Sequence, residues 1–367
     1  MIYFDNNATT AVEPAVLDRM LPFFTEHYGN PSNTSHALGW AADEAVNLAR
    51  EDVAGLVGGS PDDVIFTAGA TEAINMAIRG VAAAATGRHI VTVATEHKAV
   101  LETCRSLEAD GFEITVLPVN ADGVVSVRAL ERVLRPDTVL TCVMWANNET
   151  GAVQPVERIA AVLADHPSLF FCDATQAVGK LPISMDGVDL LALSGHKFYG
   201  PKGVGALLAK PSVRLVPVVR GGGQEKSRRA GTLNVPGIVG LGAAAAVAGQ
   251  RLDADRRAMQ DRRDRFENAV LHHFPDARVN SAGAERLPQT SSIMFPDIKA
   301  ADMMAQIGTV AVSTGSACST GSGKPSHVLA AMGLDKQAAA GTVRFSMGRH
   351  TTDQEVDAVV RALAAFS

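Results

Sequence analysis

Residues 169–209, LFFCDATQAVGKLPISMDGVDLLALSGHKFYGPKGVGALLA, contain three short apolar runs: Leu169 to Cys172, Leu190 to Leu193 and Gly205 to Leu208. Each run is too short for a helix and is bounded by polar or small residues, which is how a buried strand reads. Asp173-Ala174-Thr175-Gln176 follows the first run and Ser194-Gly195-His196-Lys197 follows the second. Upstream lie Val64 to Phe66, Ile90 to Val93, Ile114 to Leu117 and Val139 to Met144, runs of the same kind. Stretches with helical period separate most of them, for example Ala99 to Glu108 and Val156 to Ala164. This alternation predicts an α/β fold, with a mostly parallel seven-stranded sheet between helices. Ligands of such sheets sit beyond the carboxyl ends of the strands. The residues after each run are therefore the place to look for a site.

A second region begins near Pro236. Gly237 to Phe274 reads as one long helix or two, first apolar and then amphipathic, with Leu252, Met259 and Phe266 recurring every seven residues. Asp253–Arg257 and Asp261–Arg265 are spaced for four-apart ion pairs. Ser291 to Phe295, Val310 to Ser313 and Thr342 to Ser346 read as strands of a smaller α+β unit. The expected division is a large domain over 13–244, with 1–12 and 245–367 forming an N-terminal arm and a small C-terminal domain.

Composition limits the alternatives. At 47% hydrophobic and 20% charged residues, the 367-residue chain is not intrinsically disordered. A net charge of -6 has the wrong sign for bulk attraction to nucleic acid. The small-residue run Gly237 to Gly249 is too short to span a bilayer and reads as buried helix. MIYFDNNATT at 1–10 has neither the basic start nor the apolar stretch of a secretory leader. Cys104, Cys142, Cys172 and Cys318 are too far apart in sequence for a CxxC pair or a zinc ribbon, so no metal site is expected. Few, scattered cysteines fit a reducing cytoplasm.

Five polar clusters follow five predicted strand ends, where a single site can collect them. Thr67-Ala68-Gly69-Ala70-Thr71-Glu72 is a small-residue turn entering a helix, which either presents backbone N–H groups to an anion or is an ordinary helix start. Lys197 follows a buried strand; a lysine in low-dielectric surroundings loses its proton and forms an imine with a carbonyl. Asp173 is either an N-cap or the partner of a protonated ring nitrogen. His97, in Glu96-His97-Lys98, either starts a helix or stacks on a planar ring. An anion turn, an imine lysine, a carboxylate for a pyridinium and a histidine for a ring face together describe a pyridoxal-phosphate site. Gly321-Ser322-Gly323-Lys324 does not make a nucleotide P-loop, because Cys318 stands where a glycine is needed and Pro325 follows the lysine.

DATQAVGKLPI, SGHKFYGPKGVGAL, GGGQEKSRRAGT, NNETGAVQP, TEHKAVL and STGSACS closely resemble the cysteine desulfurases, pyridoxal-phosphate enzymes of the class V aminotransferase group with the fold-type-I architecture. The resemblance runs from FDNNATT at 4–10 to VRFSMGRHTT at 343–352. It implies pyridoxal 5'-phosphate as cofactor, held as an imine by Lys197, with Asp173 on the ring nitrogen and His97 on the ring face. Gln176 and Asn148 match positions beside the ring oxygen and the substrate. Ala70, Thr71, Ser194 and His196 match the phosphate site. Thr232 matches a residue that reaches the neighbouring subunit's phosphate in a homodimer. Arg344 matches the arginine that holds the substrate carboxylate, a task suited to its two-pronged donor.

Cys318, flanked by Ser, Thr, Gly and Ala, resembles the nucleophile that takes sulfur as a persulfide. Cys104, Cys142 and Cys172 read as core. The loop context resembles the group that serves iron–sulfur scaffolds and tRNA thiolation enzymes. The implied substrate is L-cysteine, and the implied partner is a sulfur-acceptor protein. A selenocysteine lyase or an aminotransferase on the same fold is the alternative; the cysteine loop disfavours an aminotransferase. Two departures are visible. Ala68 replaces a frequent serine in the phosphate turn, and the sequence ends at Ser367 without the longer extension some relatives use to dock a scaffold protein.

Overall fold

The computed structural model describes residues 1–314 and 326–365. An arm carries β1 (Ile2–Tyr3) and leads into α1 (Pro14–Met20), α2 (Pro22–Thr25) and α3 (Ala37–Leu56). The large domain continues through β2 (Val64–Thr67), α4 (Ala70–Ala84), β3 (His89–Val93), α5 (Lys98–Ser106), β4 (Glu113–Leu117) and α6 (Val127–Val133). It is completed by β5 (Thr138–Cys142), α7 (Val156–Leu163), β6 (Leu169–Asp173), β7 (Leu190–Ser194) and β8 (Gly205–Ala209). These strands form one seven-stranded sheet in the order β2-β8-β7-β6-β5-β3-β4. From β7 to β4 every pairing is parallel; β8 runs antiparallel to both β7 and β2. The ten residues 195–204 that join β7 to β8 are fewer than the dozen or more a parallel crossover needs.

The strands read as continuous apolar runs because helices cover both faces. Ile90, Leu140 and Phe171 face α4 and α5, while Val91, Phe170 and Cys172 face the core shared with α3, α6 and α7. The run expected over 139–144 ends as a strand at Cys142; Val143 and Trp145 still bond Phe171 O and Asp173 O of β6 as the chain passes toward the site.

The structure has one helix, α8 (Val235–His273), across the second region. Its glycine- and alanine-rich half lies against α3 so closely that a Cβ on Gly242 would fall 2.5 Å from the Ala49 Cα. That half is mostly buried in the large core. Its second half belongs to the small domain, where Phe266 packs edge-on to Phe4 at 5.9 Å and against Phe345 at 4.9 Å.

The small domain adds β9 (Arg278–Val279), β10 (Thr290–Met294), α9 (Ala300–Gln306), β11 (Val310–Ala311), α10 (His327–Ala331), α11 (Lys336–Ala340), β12 (Thr342–Ser346) and α12 (Asp353–Ala364). Strands β12, β10 and β9 form an antiparallel sheet. The run expected over 310–313 divides: β11 pairs in parallel with β1 of the arm, Ile2 opposite Val310, and only Ser313 bridges the small sheet, antiparallel to Arg344 of β12. The four-apart ion pairs expected along α8 also give way. Arg265 turns to Asp353 and Asp357 of α12, and Arg262 likewise bonds Asp353. Docking α12 beside this helix offers carboxylates across the interface, and these win over intrahelical partners.

Candidate active site

The carboxyl ends of β2, β5, β6 and β7 open into a cavity of about 790 Å³, within the range of small-molecule sites. Ala70, Thr71, His97, Asn148, Asp173, Gln176, Ser194, His196, Lys197 and Arg344 all line it. Of the positions singled out in the sequence, Thr232 is exposed and does not line this chain's cavity, and Cys318 lies outside the described residues. Cys104, Cys142 and Cys172 are buried in the core.

Lys197 follows β7 on a single turn of 3-10 helix. Its Nζ donates to the backbone carbonyls of Asn7 and Ala8, both at 2.7 Å. Asn7 O also accepts from Gln176 Nε2 at 2.9 Å. Behind Gln176 stands Lys180, 3% exposed, whose Nζ donates to Gln176 O at 3.2 Å and Oε1 at 3.3 Å. Burial, with the charge of Lys197 beside it, lowers the Lys180 pKa to about 7. Asp173 ends β6 and accepts from Thr175 N at 3.0 Å.

His97 caps α5, its Nδ1 accepting from Ala99 N at 3.1 Å. With Nδ1 an acceptor, the neutral ring carries its proton on Nε2. Burial lowers the His97 pKa; Lys197, His327 and Lys98 push the same way, and Asp173 opposes them. His196 bonds Thr9 Oγ1 at 3.1 Å. Burial and the nearby Lys197 and Lys202 lower its pKa to about 4. Both rings are therefore neutral at physiological pH. Arg344, 2% exposed, donates to Asn148 O at 2.9 Å and to Asp5 Oδ1 at 2.5 Å.

Several lining residues carried no sequence signal as site residues. Asn7, Ala8 and Thr9 come from the arm. Glu149, buried and pushed up by burial, accepts from Ser326 Oγ at 2.5 Å, and His327 Nε2 contacts Glu96 O at 2.9 Å. Asn147-Asn148-Glu149 is one of the five polar clusters after the predicted strands, but the contacts that bring Ser326 and His327 to it and to Glu96 span 177 and 231 positions, which no local pattern records.

The residues present fit pyridoxal phosphate. Helix α4 begins at Ala70 with no side-chain cap, so its first-turn N–H groups have no intrahelical acceptor and can receive a phosphate. Gly69 reaches this position with φ +150, and a Cβ on Gly205 would lie 2.8 Å from its Cα. Two glycines thus clear the cradle. Thr175 Oγ1, on the cavity wall, is buried with no hydrogen-bond partner among the described residues. Lys98, Lys197, Lys202 and Arg344 line the cavity beside Glu72, Glu149 and Asp173, and these cations suit a phosphate and an amino-acid carboxylate.

The family model for Aminotransferase class-V matches residues 2–359. "Cysteine desulfurase IscS" of Anaeromyxobacter dehalogenans (strain 2CP-C) is 45% identical over 98% of this chain and 91% of its own length. Among solved structures, a "NIFS-LIKE PROTEIN" superposes with a TM-score of 0.93 at 37% identity, covering 100% of this chain and 98% of that one. "SspA in complex with cysteine" superposes at 0.86 with 37% identity, covering 96% and 100%. Likeness of this extent in both sequence and fold leaves no part of either domain unaccounted for, and the chain belongs to the class-V aminotransferase family, among its cysteine desulfurases.

Proposed function

We infer that the protein is a pyridoxal-phosphate-dependent cysteine desulfurase, which converts L-cysteine to L-alanine and passes the sulfur through Cys318 to an acceptor protein. The observation that carries this reading is the single cavity in which Lys197, Asp173, His97, Arg344 and the α4 anion turn converge. Lys197 and Asp173 would hold the cofactor's carbonyl carbon and ring nitrogen, and Ala70, Thr71, Ser194 and His196 its phosphate. Bound there, pyridoxal phosphate supplies an electron sink for bonds at the amino-acid Cα.

Arg344 binds the substrate carboxylate with its planar fork. Lys197, once released from the cofactor, is the base that moves the proton at the substrate Cα. His97, neutral and protonated at Nε2, is the general acid–base group that can donate its Nε2 proton at the substrate sulfur or carbon. Cys318, as thiolate, attacks the substrate sulfur. A sulfur–sulfur bond forms as the carbon–sulfur bond breaks, its electron pair staying with carbon, which is then protonated to give alanine. The persulfide on Cys318 passes to the acceptor, an iron–sulfur scaffold or a tRNA thiolation enzyme. Leu17, Leu21, Phe24, Tyr28 and Trp40, all between the start of α1 and the first turn of α3, are exposed large apolar side chains, which supports a homodimer. Chemistry that needs a free thiolate supports the reducing cytoplasm as its place.

The test measures alanine and sulfide released from L-cysteine with a thiol reductant, for the protein and for Cys318→Ala. Equal amounts of both products, absent in the variant, are expected. A cofactor-coloured protein that releases neither would overturn the substrate assignment, and selenocysteine would be tried next.

A further inference from the structure

The GGGQEKSRRAGT segment at 221–232 contains three consecutive left-handed residues, none of them glycine: Glu225, Lys226 and Ser227, with φ of 47, 55 and 63. Backbone of this kind persists only where its surroundings over-determine it. Here the surroundings are β2 and the anion turn that follows it. The Glu225 carboxylate, 7% exposed, accepts from Arg50 at 2.8 and 3.1 Å and from the Phe66 N–H at 2.8 Å. Strand β2 is the sheet edge, so an N–H turned away from β8 needs an acceptor from elsewhere, and Glu225 supplies it. Arg50 is itself fixed, lying over the Phe66 ring at 4.7 Å and donating to Val64 O at 2.5 Å.

Two residues beyond Phe66, the Ala68 N–H donates to Glu72 Oε2 at 2.6 Å. Glu72 is held in turn by Arg229, Nε to Oε1 at 2.8 Å and Nη2 to Oε2 at 3.3 Å. Ahead of the strand, Lys226 and Arg228 both bond Asp62, Arg228 through its carbonyl at 3.0 Å. One segment therefore grips both sides of the Thr67–Gly69 turn. Its Glu225 takes the Phe66 N–H, its Arg229 fixes the Glu72 carboxylate that takes the Ala68 N–H, and the N–H groups at the start of α4 are left for the cavity.

We propose that Glu225–Arg229 is a clamp that positions the phosphate-binding turn of the cofactor site, with Glu225 and Arg229 as positioning residues that touch neither cofactor nor substrate. This rests on the cofactor reading above. The clamp sets the affinity for the phosphate and leaves the ring contacts at Asp173, His97 and Lys197 alone. A purely structural role would weaken all of these together.

The test titrates the full-length chain, stripped of cofactor, with pyridoxal phosphate and separately with pyridoxal, which lacks the phosphate. It compares the wild type with Glu225→Gln, which removes the carboxylate charge and puts an NH2 donor where Oε1 accepts from Arg50 Nη2. A second variant, Arg50→Met with Glu225→Leu, removes both charges at once and preserves apolar packing. A third, Arg229→Met, releases only the outer grip. About a tenfold loss for pyridoxal phosphate, with under about a twofold change for pyridoxal, is expected. Equal losses for both ligands, or no loss for either, would overturn the proposal. A wild type that binds the two ligands equally would overturn the cofactor-phosphate reading, and the clamp with it.

Discussion

Replacing Lys180 by methionine should change how stability depends on pH. Lys180 is buried behind Gln176, and its pKa falls from 10.5 to about 7, through burial first and the charge of Lys197 second. A lysine whose folded pKa is depressed costs stability wherever it must be charged in the fold. Between pH 7 and 10.5 the unfolded chain binds more protons than the folded one, so stability rises with pH across that window. Below pH 7 the cost is complete, at about 5 kcal/mol for a shift of this size. Integrated over the two titrations, the cost falls by about 3 kcal/mol between pH 6 and 9.5. For a chain of 367 residues the unfolding entropy is about 0.8 kcal/mol per degree, so this is about 4 °C in Tm. Methionine removes the cost but orphans Gln176 O and Oε1, a loss of about 1–3 kcal/mol that does not vary with pH. In thermal melts of the cofactor-stripped chains, Lys180→Met should melt about 2–5 °C above the wild type at pH 6 and within about 2 °C of it at pH 9.5. A difference in Tm that is the same at both pH values would refute the assignment of a depressed pKa to Lys180.

Cys318→Ala should keep the cofactor and the absorbance change on adding cysteine, yet lose alanine and sulfide release by about 100-fold or more; normal turnover would remove Cys318 as the nucleophile. Arg344→Lys keeps the charge but loses the two-pronged donor, so steady-state kinetics should show KM for cysteine rising about 10- to 100-fold. Gly205→Ala places a Cβ 2.4 Å from Leu193 O and 2.8 Å from the Gly69 Cα. Overpacking of that kind costs about 1–3 kcal/mol, or about 1–4 °C in Tm, and should speed cofactor loss on dialysis.

The seven strands were legible because a sheet covered on both faces makes each strand apolar throughout, with a polar stop at its end. Lys197, Asp173 and His97 were legible for the same reason: each stands at such a stop. Strand direction was less so. Nothing in Gly205 to Leu208 marks β8 as antiparallel; the short connection over 195–204 decides it. Asn7 escaped notice as a site residue because it acts through its backbone carbonyl, which has no side-chain signature. Glu149 and His327 enter the cavity through contacts made across the domain junction. The ion pairs of α8 were misplaced because helical spacing shows which charges can meet within a helix and is blind to Asp353 and Asp357 arriving from another.

Asn7 also bears on how the protein is made. Its N–H donates to Ser346 Oγ at 2.9 Å, a partner 339 positions away, and its side chain bonds Thr290 at 2.8 Å and Gln289 at 3.0 Å. A ribosome adds about 5–20 residues per second, so this arm waits some tens of seconds for its partners to be synthesised. During that interval the large domain can fold and already offers the arm Asn148, Gln176 and His196, while the bonds to Ser346, Thr290 and Gln289 are still to come. The arm is thus seated in two stages, first on the large domain through Gln176 and His196 and then, once the small domain is made, on Gln289, Thr290 and Ser346.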